Sequence, residues 1–248
     1  MKKDWFKDWF ESDFYQKVYN HRDNEDAKLI CDLIINSIEL QEGSKILDAA
    51  CGSGRHYLKF LEYGFNVYGF DLSKNLLSIA QQKSIEKKFP INLFCADIRK
   101  ICLKEKFDLI TNLFTSFGYF ENDDENFSFI RKAYELLKIN GYYVLDYFNM
   151  NYLINNLIPY SEKQIDSFNV IENRVIENNR VNKKIVIQDI NTSMVINEFY
   201  ESVKLYKPDE LIFRILNMGF KLKHKYGNYL GDSFDNNKSQ RLILVFQK

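Results

Sequence analysis

"ILDAACGSGRHYLKFLEYGFNVYGFDLS", residues 46–73, is the stretch on which the fold turns. It opens with a short apolar run, reaches Asp48, breaks into Ala-Cys-Gly-Ser-Gly, and resumes as a helix-like stretch that Gly64 ends. A second apolar run then closes on another acid, Asp71. The chain has only ten glycines, and Gly52 and Gly54 stand two residues apart here. A glycine turn after a parallel strand lets the backbone approach a ligand, because no Cβ intervenes. The N–H groups that open the next helix point at whatever sits there. An acid ending the second strand, about twenty residues on, can accept hydrogen bonds from both hydroxyls of a ribose. The pattern suits an adenosine-bearing ligand; a tight turn with no ligand is the plainer reading of the same glycines.

Outward from this stretch the chain alternates. Lys45–Ala49 and Asn66–Phe70 read as strands around a helix at Gly54–Tyr63, and Ser73 is placed to cap a helix running to about Lys88. Strands follow at Ile91–Ala96, Phe107–Leu113 and Tyr142–Phe148. A helix from Asp123 or Asp124 to Lys138 precedes the last of these, with Gly141 past its end. Strands that are apolar on both faces and alternate with helices predict a parallel sheet with right-handed crossovers. Residues 163–206 contain no Gly and no Pro, and read as about three antiparallel strands with turns at Asn178-Asn179 and Asn191-Thr192-Ser193. Pro208 opens a helix, and Lys221–Tyr226 with Leu242–Phe246 forms a closing hairpin. Before all of this, Asp4-Trp5-Phe6 is echoed by Asp8-Trp9-Phe10, which on a helix stacks the aromatics in pairs; residues 24–40 form an amphipathic helix.

The 248 residues fit one α/β domain with a small inserted lobe. Lysine plus arginine number 34, as do aspartate plus glutamate, so no electrostatic footprint marks a nucleic acid or an anionic membrane as partner. Cys31, Cys51, Cys95 and Cys102 form no CxxC pair, and with three histidines no metal site is expected. Scattered thiols and the lack of a long apolar run suit a soluble cytoplasmic protein without a membrane span.

Two details separate the possible ligands. A dinucleotide site wants G-x-G-x-x-G, and Tyr57 stands at the third position, where it would hold the helix off the strand. The third strand ends "FCADI", so Asp97 would share a sheet edge with Asp71 and could bind an adenine amino group. With these residues the chain resembles the class I S-adenosylmethionine-dependent methyltransferases, over about residues 10–150 and the closing helix and hairpin. "ILDAACGSG" is similar to the family's glycine motif, "VYGFDLS" to its ribose-binding acid, "CADI" to its adenine motif and "FDLITNLF" to its fourth strand. Ala50 departs from the usual first glycine.

The resemblance implies an α/β fold: a Rossmann-like, seven-stranded, mostly parallel sheet with helices on both faces, plus the inserted antiparallel sheet. It divides the chain into an N-terminal helical cap (1–40), a core (41–160 and 207–248) and an insertion (161–206) near the acceptor site. It implies S-adenosyl-L-methionine as cofactor and S-adenosyl-L-homocysteine as product. Asp48, Ala50, Gly52 and Gly54 would line the methionine part, and Asp71 would hold the ribose. Leu72 would pack on the adenine, which Asp97 and the backbone of Ile98 would hydrogen-bond, and Asn112 and Leu113 would lie near the sulfonium. "FYQKVYNHRD" is similar to the segment that folds over the cofactor in small-molecule members, which puts Tyr19 and Arg22 near its carboxylate. Arg22 paired with Glu25 or Asp26, and His21 as a surface residue, are the alternatives.

"TNLFTSFGYF" supplies Phe117, Tyr119 and Phe120 either to an acceptor pocket or to the core. No catalytic residue is named: methyl transfer needs in-line positioning, and a base only where the acceptor must lose a proton. The expected partner is a small-molecule acceptor and the expected assembly a monomer or homodimer. The rivals are a protein or RNA methyltransferase, a non-catalytic binder of the same cofactor, and, least supported, an NAD-dependent oxidoreductase.

Overall fold

The computed structural model describes residues 4–19 and 24–248. Along the chain run α1 (Trp5–Glu11), α2 (Asp13–Tyr19), α3 (Asn24–Ser37), β1 (Lys45–Ala49), α4 (Arg55–Glu62), β2 (Asn66–Asp71), α5 (Lys74–Glu86) and β3 (Leu93–Cys95). Then come β4 (Phe107–Asn112), α6 (Asp123–Leu136), β5 (Leu137–Phe148) and α7 (Met150–Asn155). Strands β6 (Tyr160–Ile165), β7 (Phe168–Glu177), β8 (Arg180–Asp189) and β9 (Val195–Lys204) follow, and α8 (Pro208–Leu216), β10 (Lys221–Tyr226) and β11 (Arg241–Gln247) end the chain.

Two sheets result. The larger has seven strands in the order β10-β11-β5-β4-β1-β2-β3, parallel from β5 to β3, with β11 antiparallel to both β5 and β10. Apolar residues on both of its faces are buried, Leu47, Phe70, Ile110 and Leu145 in one cluster and Ile46, Val67, Leu109 and Val144 in another. This is the Rossmann-like architecture with a closing hairpin. Four strands, not three, form the second sheet, in the order β6-β7-β8-β9 and antiparallel throughout. The extra strand starts at Tyr160, in a stretch whose exposed and half-buried residues carry little apolar signal.

Local signals are met in detail at several ends. The Ser73 hydroxyl accepts the N–H of Leu76, capping α5, and Pro208 opens α8. Helix α6 starts at Asp123 as expected, capped by Asn122, which accepts the N–H of Glu125. Its other end is displaced. That helix stops at Leu136 because β5 begins at once and turns through Asn140, at φ 63°. Gly141 is therefore not a helix cap: a Cβ there would lie 3.1 Å from the carbonyls of Phe107, Asp108 and Lys138. The third strand shrinks to Leu93–Cys95.

Tyr57 does not hold α4 off the sheet. Its ring is fully buried against Gly69 of β2, where a Cβ would come within 3.0 Å of Tyr57 Cδ2. Its hydroxyl donates to the Pro90 carbonyl and accepts the N–H of Asn92. The small residue that close packing demands sits in the strand instead of the helix.

Helices α1 and α2 join the inserted sheet. Trp5, Phe6, Trp9 and Val18 bury themselves with Val170, Ile185 and Ile187, and Leu72, Tyr119 and Phe120 pack against the group. The N-terminal aromatics thus lie between the insertion and the β2 and β4 loops. No helix among the described residues is long and apolar enough to cross a membrane.

Candidate functional site

The carboxyl ends of β1, β2 and β4 and the loop after β3 surround one cavity of about 810 Å³, near the upper end of the roughly 300–1,000 Å³ usual for small-molecule sites. β1 leaves the sheet through three left-handed residues, Ala50 (φ 56°), Gly52 (φ 54°) and Gly54 (φ 80°), before α4 starts. Glycine adopts this conformation freely; at Ala50 the methyl crowds its own carbonyl, which costs about 1–2 kcal/mol. Asp71 draws the turn in. Its Oδ2 accepts the N–H of Gly52 at 2.8 Å and its Oδ1 that of Ser73 at 2.9 Å. Burial pushes the Asp71 carboxyl up, against those two backbone donors.

Asp48 lies on the cavity floor and is fully buried. Its Oδ1 accepts the Thr111 hydroxyl at 2.9 Å, while Oδ2 has no partner among the described residues. Burial outweighs the Thr111 bond and pushes the carboxyl up to about 7. A buried carboxylate oxygen without a donor fits a cationic amino group, such as that of a methionine moiety. Asn112 donates to the carbonyls of Ala49 and Ser116, tying β1 to the loop after β4, and Leu113 is buried beside it.

The adenine-side acid is more occupied than the sequence implies. Arg99 donates to Asp97 from Nε (3.0 and 3.2 Å) and Nη2 (2.6 Å), and also to Glu125 at 3.0 Å. Burial raises the Asp97 carboxyl, but the bonds from Arg99 outweigh it and hold the group below its ordinary range. An adenine amino group would share this carboxylate with Arg99. Ile98 and Leu72 line the same part of the cavity.

Gly54 is the site residue placed elsewhere. The position of its absent Cβ is 2.8 Å from Ala80 Cβ, so this glycine lets α4 and α5 close on each other and does not face the ligand space. Arg22 and His21 lie outside the described residues. Tyr19 lines the cavity, but its hydroxyl meets the inserted sheet: it donates to Glu201 Oε1 at 2.5 Å and accepts from Lys183. Phe117, Tyr119 and Phe120 all line the cavity, and Phe117 is also buried in the core. The stretch thus lines the cavity and packs into the core at once.

Sequence reasoning missed the far wall. Lys183 pairs with Glu201 at 2.7 Å across β8 and β9, and the Trp9 indole donates to the same carboxylate at 2.7 Å. Arg174 and Arg241 line the cavity as well. Arg241 forms a buried pair with Asp146 at 2.7 Å. A lone acid inside the apolar run "YYVLDYF" was the one available signal for this pair. His56, also on the wall, is held neutral, pushed down to about 3 by burial and by the neighbouring Arg55.

Residues 46–141 match a family model described as a methyltransferase domain. Across 84% of this chain and 86% of its own length, the chain is 27% identical to YqeM of Bacillus subtilis (strain 168), a protein provisionally named a methyltransferase. It is 29% identical to the dTDP-3-amino-3,4,6-trideoxy-alpha-D-glucopyranose N,N-dimethyltransferase of Streptomyces venezuelae, over 54% of this chain and 56% of that one. The chain spans about half the length of several curated relatives it matches. The crystal structure of an S-adenosylmethionine-dependent methyltransferase from Clostridium acetobutylicum ATCC 824 superposes with a TM-score of 0.79 at 20% identity, over 94% of this chain and 96% of that one, a likeness of fold. With the glycine turn, the acid at the end of β2 and the buried Asp48 all on one cavity, residues 46–141 form a methyltransferase domain, on a fold shared with solved S-adenosylmethionine-dependent methyltransferases.

Proposed function

We propose that this protein is an S-adenosylmethionine-dependent methyltransferase and that it acts on a small-molecule acceptor held in the part of the cavity walled by the inserted sheet. The observation that carries the reading is enclosure. The cavity that Asp48, Gly52 and Asp71 line continues to Arg174, Lys183 and Glu201, with Trp5, Phe10 and Tyr15 also on its wall. A walled cavity of this kind suits a compact acceptor better than a polymer. The balanced charge of the chain supports the same choice. The names of relatives suggest an amine nitrogen as acceptor, on a deoxysugar or on glycine.

In this reading Asp48, Ala50, Gly52, Asn112 and Leu113 receive the methionine moiety, Asp71 the ribose, and Leu72, Asp97 and Ile98 the adenine. Arg22 and Tyr19 close the carboxylate end. When bound, S-adenosylmethionine supplies a methyl group activated on a sulfonium. The chain's share is positioning and exclusion of water by the aromatics, which together lower the barrier. The cap (1–40), the core (41–160 with 207–248) and the insertion (161–206) divide these tasks.

Calorimetry of the dialysed protein against S-adenosylhomocysteine, S-adenosylmethionine and NAD tests the cofactor half. Release of S-adenosylhomocysteine with dTDP-linked amino sugars, glycine and sarcosine, against unmethylated RNA and protein, tests the acceptor half. Turnover only with a macromolecule would replace this proposal.

A further inference from the structure

The loop that leaves β4, residues 113–120, lines the cavity along its whole length. It is not relaxed. Phe114 (φ 58°) and Thr115 (φ 62°) are consecutive non-glycine residues in the left-handed region, which only surrounding contacts can sustain. The near half is tied to the core. Asp146 accepts the N–H of Phe114 on Oδ2 and that of Thr115 on its carbonyl, each at 2.9 Å, and Arg241 donates to the Thr115 hydroxyl at 3.0 Å.

The far half reaches across to the insertion. Arg180, at the start of β8, donates to three successive carbonyls of the loop: Gly118 (3.1 Å), Tyr119 (3.0 Å) and Phe120 (3.0 Å). Its remaining bonds go to the Ser202 hydroxyl and carbonyl, at 2.6 and 2.9 Å. These acceptors are all neutral oxygens, so the guanidinium acts here as a fork of donors and not as half of an ion pair. Only arginine can do this, because its five N–H groups lie in one rigid plane, whereas lysine offers three donors at a single point. The tip that carries Arg180 is itself docked. Asn178 and Asn179 form the left-handed turn between β7 and β8, and Asn179 exchanges hydrogen bonds with the Leu205 backbone in both directions. Gly118 completes the junction: its carbonyl accepts the N–H of Lys204, and a Cβ there would meet Val203 at 3.2 Å.

We propose that Arg180 is a positioning residue for methyl transfer, through which the inserted sheet sets the shape of the 113–120 loop and so of the acceptor wall. The inference rests on the acceptor lying beside the insertion. Arg180 bonds to the far half of the loop, at Gly118, Tyr119 and Phe120, and not to Asp48, Gly52, Asp71, Asn112 or Leu113, so its loss should be felt at the acceptor more than at the cofactor.

Amide exchange of the full chain, parent against Arg180→Lys, is the test. Protection across residues 116–121 should fall by about tenfold or more while β1, β5 and β11 keep theirs. Affinity for S-adenosylhomocysteine should stay within about threefold. With any amine from the panel above that turns over, KM for the amine should rise and KM for S-adenosylmethionine should not. A folded Arg180→Lys with parent-like loop protection overturns the proposal, as does a loss of S-adenosylhomocysteine affinity in step with the loop. Should Arg180→Lys not fold, Ser202→Ala, which removes only one of the guanidinium's acceptors, must show the same pattern at smaller size or the proposal fails. Failure of the parent to bind S-adenosylhomocysteine would sink the cofactor reading, whereas absence of turnover with every amine would count against the acceptor class. In either case the exchange comparison still decides Arg180.

Discussion

The two sheets solve different problems with different means. In the seven-stranded sheet, site geometry is made by backbone: left-handed turns at Ala50 and Gly52, N–H groups captured by Asp71, and a strand-to-helix return. In the inserted sheet it is made by pairs of side chains, Lys183 with Glu201 across β8 and β9 and Arg174 with Glu172 along β7. The first sheet is buried on both faces. The second buries Val170, Ile185 and Ile187 against α1 and α2, yet leaves Val175, Val195, Ile196 and Tyr200 exposed. A backbone-made site tolerates few residue types at few positions. A side-chain-made site can be rewritten without disturbing the fold, which is how one fold serves one cofactor and many acceptors.

Four substitutions can break or sharpen this contrast. The largest effect is expected at Gly54→Val, where a side chain would be driven into Ala80 in a left-handed backbone. Overpacking and strain together should cost about 3 kcal/mol or more, read from urea unfolding. A change below about 1 kcal/mol would show that α4 and α5 can separate cheaply.

Asp71→Ala comes next. It removes the acceptor of two backbone N–H groups, and in the proposed complex the ribose partner as well. S-adenosylhomocysteine binding should weaken by about 1.5–3 kcal/mol in calorimetry. Parent-like affinity would remove Asp71 from the cofactor site.

On the other side of the contrast, Glu201→Gln leaves Lys183 without its nearer carboxylate while keeping an acceptor for Trp9. Stability should drop by about 1–2 kcal/mol in a thermal melt, with S-adenosylhomocysteine affinity unchanged. If the affinity fell instead, the insertion would belong to the cofactor site and the division between the sheets would fail.

The smallest and most specific effect is a pH slope. Asp48 has a folded pKa raised by burial to about 7, against roughly 3.9 when unfolded. The folded state therefore holds the proton more tightly, and the stability this gives is lost as pH rises through that interval. Asp48→Asn carries no such proton. The stability of the variant minus that of the parent should increase from pH 4 to 7, by at most about 1.4 kcal/mol per pH unit, and then level off. His56, depressed to about 3, works in the opposite sense and loses stability as pH falls below about 6.5. It is common to both proteins and cancels in the difference. A flat difference would mean that Asp48 is ionised in the folded protein.

The sequence by itself determined the parallel sheet, its closing hairpin, the glycine turn and the acids at the ends of β1, β2 and β3. These are short-range consequences of chain chemistry: alternation of apolar runs sets strands and helices, glycine sets the turn, and a strand's last residue falls at the sheet edge. The existence of an insertion was legible for the same reason, in a long run free of Gly and Pro. Only the tertiary structure decided what each polar group faces. It turned Gly54 toward Ala80, let Gly69 make room for Tyr57, gave Arg99 a second carboxylate in Glu125 and brought Tyr19 to Glu201. It also brought Arg180 to a loop about 60 residues earlier in the chain. Pairings over such separations leave no periodicity in a single sequence, because each partner is chosen by packing between elements and not by its neighbours along the chain.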